Sequence, residues 1–497
     1  MKEAYVIGID IGTGSTKAVA LNKKQQVVAT AQQHYASLPA SPGISEQSVP
    51  QIWNAVVHCI NDVAAQLQQP PDMVSFSACM HSLLAVDVAG NPITNMITWA
   101  DARSQAIAET LRQSEEGEAL YKATGTPLHS MSPLSKIVWH GQKGQETFSR
   151  AARWLSIKEY IWWQLFGAYE VDVSIATASG LMNIHQFCWH QPALQLAGIS
   201  ESQLSVIKPT TFMRSSLDKK AQKLLPGMEN TLFCIGSSDG CMANVGSSAM
   251  QKGTGALTIG TSAAVRVATA NPVAHFNSMI FSYPIDESTF INGGALNNGG
   301  NAVHWAIKKL KQLLHPGQKD YETFYGQVGE VPAGSEGLLC LPYFIGERAP
   351  VWDEQSSGAF IGVKAHHTQA HFYRATLEGV CFALHQALQQ VEAVTGVVQQ
   401  LHVSGGFIRS QVWLQMLANV TGKKLCIVTE EDASATGAAL LAMNANGWIK
   451  LNGLVQKEIQ TVHPQQQQHA QYGSYFNIYK TLYPSLQGAM HQLYQLQ

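Results

Sequence analysis

Two stretches of the chain place a glycine-rich segment between apolar runs. Residues 5–10 are apolar and β-branched up to a terminal acidic residue, GTGS follows at 12–15, and a second apolar run covers 18–21. Residues 257–267, LTIGTSAAVRV, repeat this order. Each stretch predicts a β-hairpin with a glycine-rich tip. The repetition indicates two similarly built halves, with a boundary near residue 247.

Elsewhere the hydrophobic pattern alternates between the period of a strand and that of a helix. The predicted elements are strands at 73–77 and 96–99 and helices at 51–67 and 374–394. Residues 401–420 predict a strand, a Gly-Gly turn and an amphipathic helix. Strands that alternate with helices are typical of α/β layers. We therefore predict two α/β domains, at residues 1–246 and 247–497.

Charge and hydropathy exclude some classes of protein. The chain has 497 residues, with 32 Lys+Arg against 34 Asp+Glu and a net charge of −2. Only 13% of residues are charged, where about 25% is usual, so a nucleic-acid partner is not indicated. Every apolar run is interrupted before the roughly 18 residues that cross a bilayer. No cleavable leader precedes the first predicted strand, so we expect a cytoplasmic protein without a membrane partner.

Cysteine and histidine patterns give no sign of a metal centre. The 8 cysteines include no C-x-x-C pair, which argues against a disulfide framework and a thiolate zinc site. The one tight histidine group, His366, His367 and His371, lacks the H-E-x-x-H pattern of a helical zinc site. We expect a surface or helix-capping role for these histidines.

The first hairpin tip carries the residue types that a phosphate site needs. DIGTGSTK places a carboxylate, Asp10, at a strand end, followed by small residues and then a cation, Lys17. Small residues leave backbone N–H groups free for phosphate oxygens, and a carboxylate can hold Mg²⁺ directly or through water. The spacing matches neither a P-loop nor G-x-G-x-x-G. A nucleotide site of another kind is indicated, and a Rossmann dehydrogenase is disfavoured.

The second hairpin tip offers donors of the same kind, at Gly260, Thr261 and Ser262. Two such tips from opposite domains could hold one polyphosphate between them. A further carboxylate, Asp239, lies in SSDG directly after an apolar run. A carboxylate in that position could accept a proton from an attacking hydroxyl. The same four residues are also typical of a simple turn, so the motif alone leaves both interpretations open.

Together these segments resemble the FGGY family of carbohydrate kinases, in the superfamily of actin, hexokinase and the Hsp70 ATPase. The matching segments are DIGTGSTK at 10–17, MHSLLAVD at 80–87, TWADAR at 98–103, MSPLSKIVW at 131–139, GSSDG at 236–240, TIGTSAAVR at 258–266, GAFIGVKAHHTQAHFYRATLE at 358–378 and SGGFIRSQVWLQMLANVTG at 404–422. They span nearly the whole chain. The resemblance implies two ribonuclease-H-like α/β domains that flank a cleft.

The resemblance also implies roles for single residues, with ATP and Mg²⁺ as cofactors. Asp239 would be the catalytic base and Asp10 would help to hold Mg²⁺. The residues implied to bind ATP are Thr13, Gly14, Ser15, Lys17, Gly260, Thr261, Gly300, Gly406 and Ser410. The sequence departs from the family at His304, where glycerol kinases carry a glutamine, and at Gly14, which replaces a larger polar residue.

The acceptor is expected to be a small sugar or sugar acid. The residues that the resemblance places around it are Met80, His81, Trp99, Asp101, Arg103 and Lys136. The pair Met80-His81 is similar to the Met-His pair of xylulokinases and gluconokinases, whereas glycerol kinases carry Arg-Glu there. Met131 stands where glycerol kinases have a tyrosine that contacts the substrate. Five stretches resemble gluconokinases more closely, so D-gluconate phosphorylated to 6-phosphogluconate is the expectation.

A carboxylate on that acceptor would need a charged partner. Arg103, Lys136 or His81 could supply a charge-assisted hydrogen bond. The alternative is that Arg103 and Lys136 brace the domain through buried ion pairs.

Other functions remain open from the sequence. A xylulokinase or another pentulose or polyol kinase is the nearest alternative. An actin-like or Hsp70-like ATPase without kinase activity is the alternative from a different class. The sequence is also compatible with a homodimer.

Overall fold

A computed structural model describes residues 3–36, 38–39, 41–313, 315–428, 432–451 and 459–496 of the chain. The strands are β1 (Tyr5–Ile11), β2 (Ser15–Asn22), β3 (Val27–His34), β4 (Glu46–Gln47), β5 (Met73–Ala78), β6 (Leu84–Val86), β7 (Met96–Ile97), β8 (Arg153–Leu155), β9 (Glu170–Asp172), β10 (Met182–Asn183), β11 (Cys188–Trp189), β12 (Val206–Lys208), β13 (Met213–Arg214), β14 (Leu232–Ser238), β15 (Thr254–Ile259), β16 (Ala263–Thr269), β17 (Phe281–Asp286), β18 (Thr289–Leu296), β19 (Leu339–Leu341), β20 (Ala359–Ile361), β21 (Gln400–Ser404), β22 (Lys424–Ile427) and β23 (Gln460–Val462).

The α-helices are α1 (Val49–Leu67), α2 (Gln105–Arg112), α3 (Glu115–Thr124), α4 (Pro133–Lys143), α5 (Gln145–Arg150), α6 (Ile157–Phe166), α7 (Val173–Ala178), α8 (Gln191–Ala197), α9 (Lys219–Leu224), α10 (Asp239–Gly246), α11 (Gly300–Leu310), α12 (Gln318–Glu330), α13 (Gln369–Thr395), α14 (Gln411–Thr421), α15 (Ala433–Ala445) and α16 (Gln466–Gln495). Short 3₁₀ turns cover Glu201–Gln203, Phe276–Ser278, Ser335–Gly337 and Gly406–Arg409. Among the described residues, no helix is both long and apolar enough to cross a membrane.

Two large sheets share one local topology. The first has the strand order β13-β14-β5-β1-β2-β3 and the second β17-β18-β16-β15-β21-β22-β23. In the first, β1 pairs antiparallel with β2 and parallel with β5. In the second, β15 pairs antiparallel with β16 and parallel with β21. The two predicted hairpins and the similarity of the two halves are confirmed.

Each sheet begins with a glycine-tipped hairpin because apolar β-branched residues flank a turn of small residues. In β1 every residue is buried except Asp10, which is half-buried. In β2 residues 18–22 are all buried and continue this core on the other side of the tip. Helix α1 covers one face of the first sheet, and α15, from the C-terminal half, covers the other.

Helices α10 and α15 cross between the sheets with their backbones in direct contact. A Cβ atom on Gly246 would stand 1.9 Å from the carbonyl oxygen of Ala433, and one on Gly437 would stand 1.9 Å from that of Met242. A Cβ on Gly8 of β1 would stand 1.8 Å from the carbonyl oxygen of Ala435. Only glycine permits this approach.

The strands of the first sheet all precede residue 239, and those of the second sheet all follow residue 253. The division of the chain between residues 246 and 247 stays a prediction, since α15 from the second half packs on the first sheet.

Two local expectations have clear outcomes. The strand predicted at 96–99 is shorter, because Asp101 donates its N–H to the carbonyl of Thr98 and turns the chain after Ile97. The capping role expected for the histidine group is confirmed for His371, whose Nδ1 accepts the N–H of Thr368 at 3.1 Å at the start of α13.

We predict that Gly437→Ala destabilises the protein by about 1–3 kcal/mol, because the added methyl group forces two backbones apart. Thermal unfolding should show a lowered midpoint. Gly488→Ala is the matched control, since this glycine also lies inside a helix but has open space around it. The control should be neutral or stabilising by up to about 1 kcal/mol. Equal midpoints for the two variants would contradict the close crossing.

Candidate active site

Three carboxylates lie near enough to repel one another where the two halves face each other. Asp10 lies at the end of β1 and accepts a hydrogen bond from Ser77 Oγ at 2.7 Å. Asp239 begins α10, and Asp432 caps α15 by accepting the N–H groups of Ser434 and Ala435 at 3.0 Å. Burial, then Asp432 and Asp239, raise the pKa of Asp10 well above its usual value. The charged form of Asp10 is therefore disfavoured by burial and by repulsion from the other two carboxylates.

Lys17 is the cation closest to this group. Its Nζ lies 2.7 Å from Asp432 Oδ2, which joins the first hairpin to the helix contributed by the other half. Burial opposes the charge, but Asp432 outweighs it and the pKa of Lys17 is raised. Because the side chain remains 40% exposed, Lys17 can still reach an anion in the cleft.

The two hairpin tips are open to a ligand. The first turn is closed by the N–H of Gly12, which donates to the carbonyl of Ser15 at 3.0 Å. Thr13 is partly exposed and Gly14 has no neighbouring atom within 4 Å of its Cβ position. The second tip is tied to α11, because Gly300 donates its N–H to the carbonyl of Gly260 at 2.8 Å.

A cavity of about 780 Å³ opens beside the second tip. Five residues predicted to bind ATP line it: Gly260, Thr261, Gly300, Gly406 and Ser410. Its walls also include aromatic side chains, among them Tyr321, Tyr325 and Trp413. Apolar walls with a few polar groups are typical of sites for small organic ligands. His304 lines the same cavity, with Nδ1 2.8 Å from the hydroxyl of Tyr321.

A second cavity, of about 230 Å³, lies against Asp239. Its wall contains Met80, His81 and Trp99, three of the residues predicted to surround the acceptor. Gly260 lines both cavities, so the two spaces meet at the second hairpin tip. This arrangement can hold two ligands end to end, with Asp239 in the wall of the smaller cavity.

Asp239 is held in place by the start of its own helix. Its Oδ1 accepts the N–H of Gly240 at 2.8 Å, and Ser434 Oγ donates to its carbonyl oxygen at 3.1 Å. Burial raises the pKa of the Asp239 carboxyl, while the charge of Arg266 lowers it. A carboxylate that lines a cavity and is oriented by backbone N–H groups, here those of Gly240 and Met80, can accept a proton from a ligand.

His81 is neutral and fixed in one orientation. Its Nδ1 donates to the carbonyl of Ala178 at 2.8 Å, and its Nε2 lies 3.4 Å from the hydroxyl of Tyr283. Burial, with the charge of Lys136, lowers the pKa of His81 to about 3. Its backbone has a φ of +64°, which is unusual outside glycine and is often found at functional sites.

The structure does not bring Asp101, Arg103 and Lys136 to the cavity wall. Arg103 Nε donates to both oxygens of Asp101 at 2.9 and 3.0 Å, and its Nη2 donates to Glu46 at 2.6 Å. The arginine predicted as a carboxylate partner is therefore already engaged, as the bracing alternative requires.

Lys136 is also a brace. Its Nζ donates to the carbonyls of His81 and Thr98, both at 2.8 Å. These bonds tie together the two segments that carry Met80, His81 and Trp99, and they hold the strained backbone of His81. Burial lowers the pKa of Lys136 to about 7.

Sequence reasoning missed two arginines and one carboxylate. Arg266 and Arg348 line the smaller cavity, and Asp432 lies beside Asp10. Arg266 stands inside the second hairpin motif, where alternation along β16 could have placed it on the cleft face. Asp432 precedes a run of small residues, a pattern that predicts a helix cap. Arg348 lies in a loop and had no comparable signal.

A buried ion pair supports β14, the strand that ends directly before Asp239. Lys158 Nζ lies 2.7 Å from Asp172 Oδ2 and donates to the carbonyl of Ser237 at 3.0 Å. Asp172 caps α7 with its other oxygen. Ser174 of that helix donates its hydroxyl to Ser238 Oγ at 2.6 Å. A charged network therefore holds the two residues that precede Asp239.

Known proteins match this chain along most of its length. Residues 5–246 match the FGGY family of carbohydrate kinases, N-terminal domain, and residues 255–446 match the C-terminal domain of that family. Gluconokinase of Bacillus licheniformis is 35% identical over 99% of this chain and 98% of its own length. Xylulose kinase of Staphylococcus xylosus is 27% identical over 97% of this chain and 100% of its own length.

Solved structures share the fold. Gluconate kinase from Lactobacillus acidophilus superposes with a TM-score of 0.93 at 30% identity, covering 99% of this chain and 100% of that one. Ligand-bound xylulose kinase from the same organism gives the same TM-score, identity and coverage. The expected fold, two ribonuclease-H-like α/β domains flanking a cleft, is confirmed.

We predict that Lys158→Met lowers the stability of the protein by about 3–5 kcal/mol, because it leaves Asp172 buried without its partner. Urea unfolding should show this as a clear drop in midpoint. Lys122→Met is the control, since Lys122 forms an exposed i,i+4 pair with Glu118 that contributes about 0.3–0.5 kcal/mol. A Lys158 variant as stable as the control would contradict the supporting role of this pair.

Proposed function

This chain belongs to the FGGY family of carbohydrate kinases, and we propose that its acceptor is D-gluconate, phosphorylated on the 6-hydroxyl. Sugar kinases of this family use ATP as the phosphate donor. The acceptor is therefore a small molecule. The side chains that line the cavity beside Asp239 indicate which chemical groups it carries.

The observation that carries the proposal is the charge of that cavity. Two guanidinium groups, Arg266 and Arg348, face one carboxylate, Asp239, and His81 is neutral. Neither arginine forms an ion pair with a carboxylate of the described residues, although both pKa values are lowered by burial. A cavity with surplus positive charge favours an anionic ligand. Gluconate carries a carboxylate, whereas xylulose and glycerol are neutral.

The level of sequence identity to known kinases supports the same acceptor. Sequence identity is higher with the gluconokinase than with the xylulose kinase, although the two solved structures are equally similar. A pentulose such as D-xylulose is therefore the second candidate, favoured by the structural likeness alone.

In this proposal Asp239 is the catalytic base. The 6-hydroxyl oxygen forms a bond to the γ-phosphorus, the bond from that phosphorus to the β,γ-bridging oxygen breaks, and the hydroxyl proton passes to Asp239. ADP and the sugar phosphate are the products. The residues of the two hairpin tips would position the phosphates, and alignment of this kind supplies much of the rate in phosphoryl transfer.

The nucleotide would occupy the larger cavity. The residues proposed to contact its phosphates are Thr13, Gly14, Ser15, Lys17 and Thr261, and those proposed to line the nucleoside pocket are Gly260, Gly300, Gly406 and Ser410. On phosphate binding Lys17 would exchange Asp432 for a phosphate oxygen, because its side chain is partly exposed.

The carboxylates at the floor of the cleft fit a magnesium ion. Asp10 lies close to two further carboxylates, Asp239 and Asp432, and all of this charge is balanced only in part by Lys17. The described residues include no group of three or more His, Cys, Asp or Glu placed to coordinate an ion. Mg²⁺ usually takes one or two carboxylates and completes its shell with water and phosphate. Asp10 would hold it, and the ion would neutralise charge on the phosphates.

An acceptor panel tests the proposal. Coupled ADP release would be measured with Mg-ATP and D-gluconate, D-xylulose, L-ribulose, glycerol or no acceptor. Turnover with gluconate well above all other acceptors is the expected result. Preference for a ketose would replace the acceptor and keep the kinase, and hydrolysis that ignores the acceptor would indicate an ATPase without a sugar substrate.

We predict that Asp239→Asn lowers kcat by at least about 100-fold, since the amide cannot accept the hydroxyl proton. ATP binding, followed by calorimetry, should be largely retained because the nucleotide cavity lies on the other side of Gly260. Asp286→Asn, at an exposed position, should have wild-type turnover. A folded Asp239 variant that no longer binds ATP would contradict the assigned role.

A further inference from the structure

We propose that Arg348, in the wall of the smaller cavity that Asp239 also lines, binds the carboxylate of the acceptor. This inference rests on the proposed gluconate kinase function and assigns the residue that makes the site selective for an acid. It replaces Arg103, Lys136 and His81 as candidates for that contact.

The guanidinium of Arg348 is built into the cavity wall. The residue is 6% exposed, and its Cζ lies 4.4 Å from the centroid of the Trp99 ring. Nε donates to Asn297 Oδ1 at 2.8 Å, and Nη2 donates to the carbonyl of Leu296 at 3.2 Å. Stacking and these two bonds fix the plane of the group before any ligand arrives.

The donors of Arg348 are not used up. A guanidinium has five N–H groups. Among the described residues, the only hydrogen bond of this group besides the two above is from Nη1 to the sulfur of Met131 at 3.8 Å. Sulfur is a weak acceptor. N–H groups on both terminal nitrogens are thus left for the cavity, and such a pair suits the two oxygens of a carboxylate.

The charge of the neighbouring acid, Glu347, acts on Arg348, but its carboxylate oxygens are engaged by other donors. Glu347 accepts the N–H of Asn297, the side-chain amide of Asn298 at 2.9 Å and the N–H of Arg348 itself at 3.0 Å. Its carboxylate therefore orients the backbone around Arg348 and forms no ion pair with the guanidinium. A buried cation without a carboxylate partner is costly, and an anionic ligand would remove that cost.

The charge of Asp239 acts on both arginines of the smaller cavity, but the contacts of the two arginines differ. Arg266 lies against Asp239, because its Nε is 3.0 Å from the Cβ position of Gly240 and its charge lowers the pKa of Asp239. Arg348 lies instead against Trp99 and Met131. Gluconate carries its 6-hydroxyl and its carboxylate at opposite ends. With the hydroxyl at Asp239, the carboxylate would lie at Arg348.

The test compares D-gluconate with D-gluconamide, which has the same shape but no charge. For the wild-type enzyme kcat/KM should be roughly 10- to 100-fold higher with gluconate, as a charge-assisted hydrogen bond implies. In Arg348→Met this ratio should fall to near one, mainly through a higher KM for gluconate. A merely structural role would lower activity on both acceptors and leave the ratio unchanged.

Arg112→Met is the matched control. Arg112 lies outside the cavity and donates to the carbonyl of Trp352 in the segment that follows Arg348, so its loss should keep the wild-type ratio. If Arg348→Met does not fold, Trp99→Leu provides a second route. Trp99 is partly exposed, and without its ring the guanidinium is less well fixed, so the ratio should fall in the same direction.

The outcomes separate the two proposals. A wild-type enzyme that prefers gluconate, together with an Arg348→Met variant that keeps the full gluconate preference, would overturn the role of Arg348 and leave the proposed function intact. A wild-type enzyme that uses a ketose and not gluconate would overturn both. A fall of the ratio in Arg103→Met but not in Arg348→Met would place the carboxylate at Arg103.

Discussion

The close crossing of α10 and α15 is the constraint on which the site depends. Glycines at the crossing allow backbone carbonyls of one helix to approach the other to a distance that no side chain would permit. The crossing brings the first residue of one helix, Asp239, next to the cap of the other, Asp432, and sets both beside Asp10. The proposed base, a candidate metal ligand and the partner of Lys17 therefore come together from three distant parts of the chain.

Charge is divided along the cleft in a way that fits phosphoryl transfer to an acid. Carboxylates lie on the side of the hairpin tips. There the metal ion that accompanies a nucleotide would bring positive charge between these carboxylates and the phosphates. Two arginines, Arg266 and Arg348, line the smaller cavity together with Asp239. Buried charges of one sign are costly without a partner, so both ends of the cleft favour ligands of defined charge. His81 is neutral and therefore adds no charge to the smaller cavity.

Much of the fold could be predicted, because local patterns encode it. Glycine between apolar runs indicated both hairpins, and the matching strand order of the two sheets follows from that repeat. The acceptor residues were predicted less well. Arg103 and Lys136 belong to the same motifs as cavity residues, but a motif does not reveal which way a side chain points, and both turn into hydrogen bonds within the domain. Arg348 lies in a loop, where no periodicity marks a face.

The position of the new phosphate on the product tests the proposed orientation most directly. Uniformly ¹³C-labelled gluconate would be incubated with the enzyme and Mg-ATP, and the product examined by ¹³C and ³¹P NMR. With the carboxylate at Arg348 and a terminal hydroxyl at Asp239, coupling to phosphorus should appear at C6 and its neighbour C5 alone. A phosphate on another hydroxyl, or release of inorganic phosphate without a sugar phosphate, would contradict this arrangement of the site.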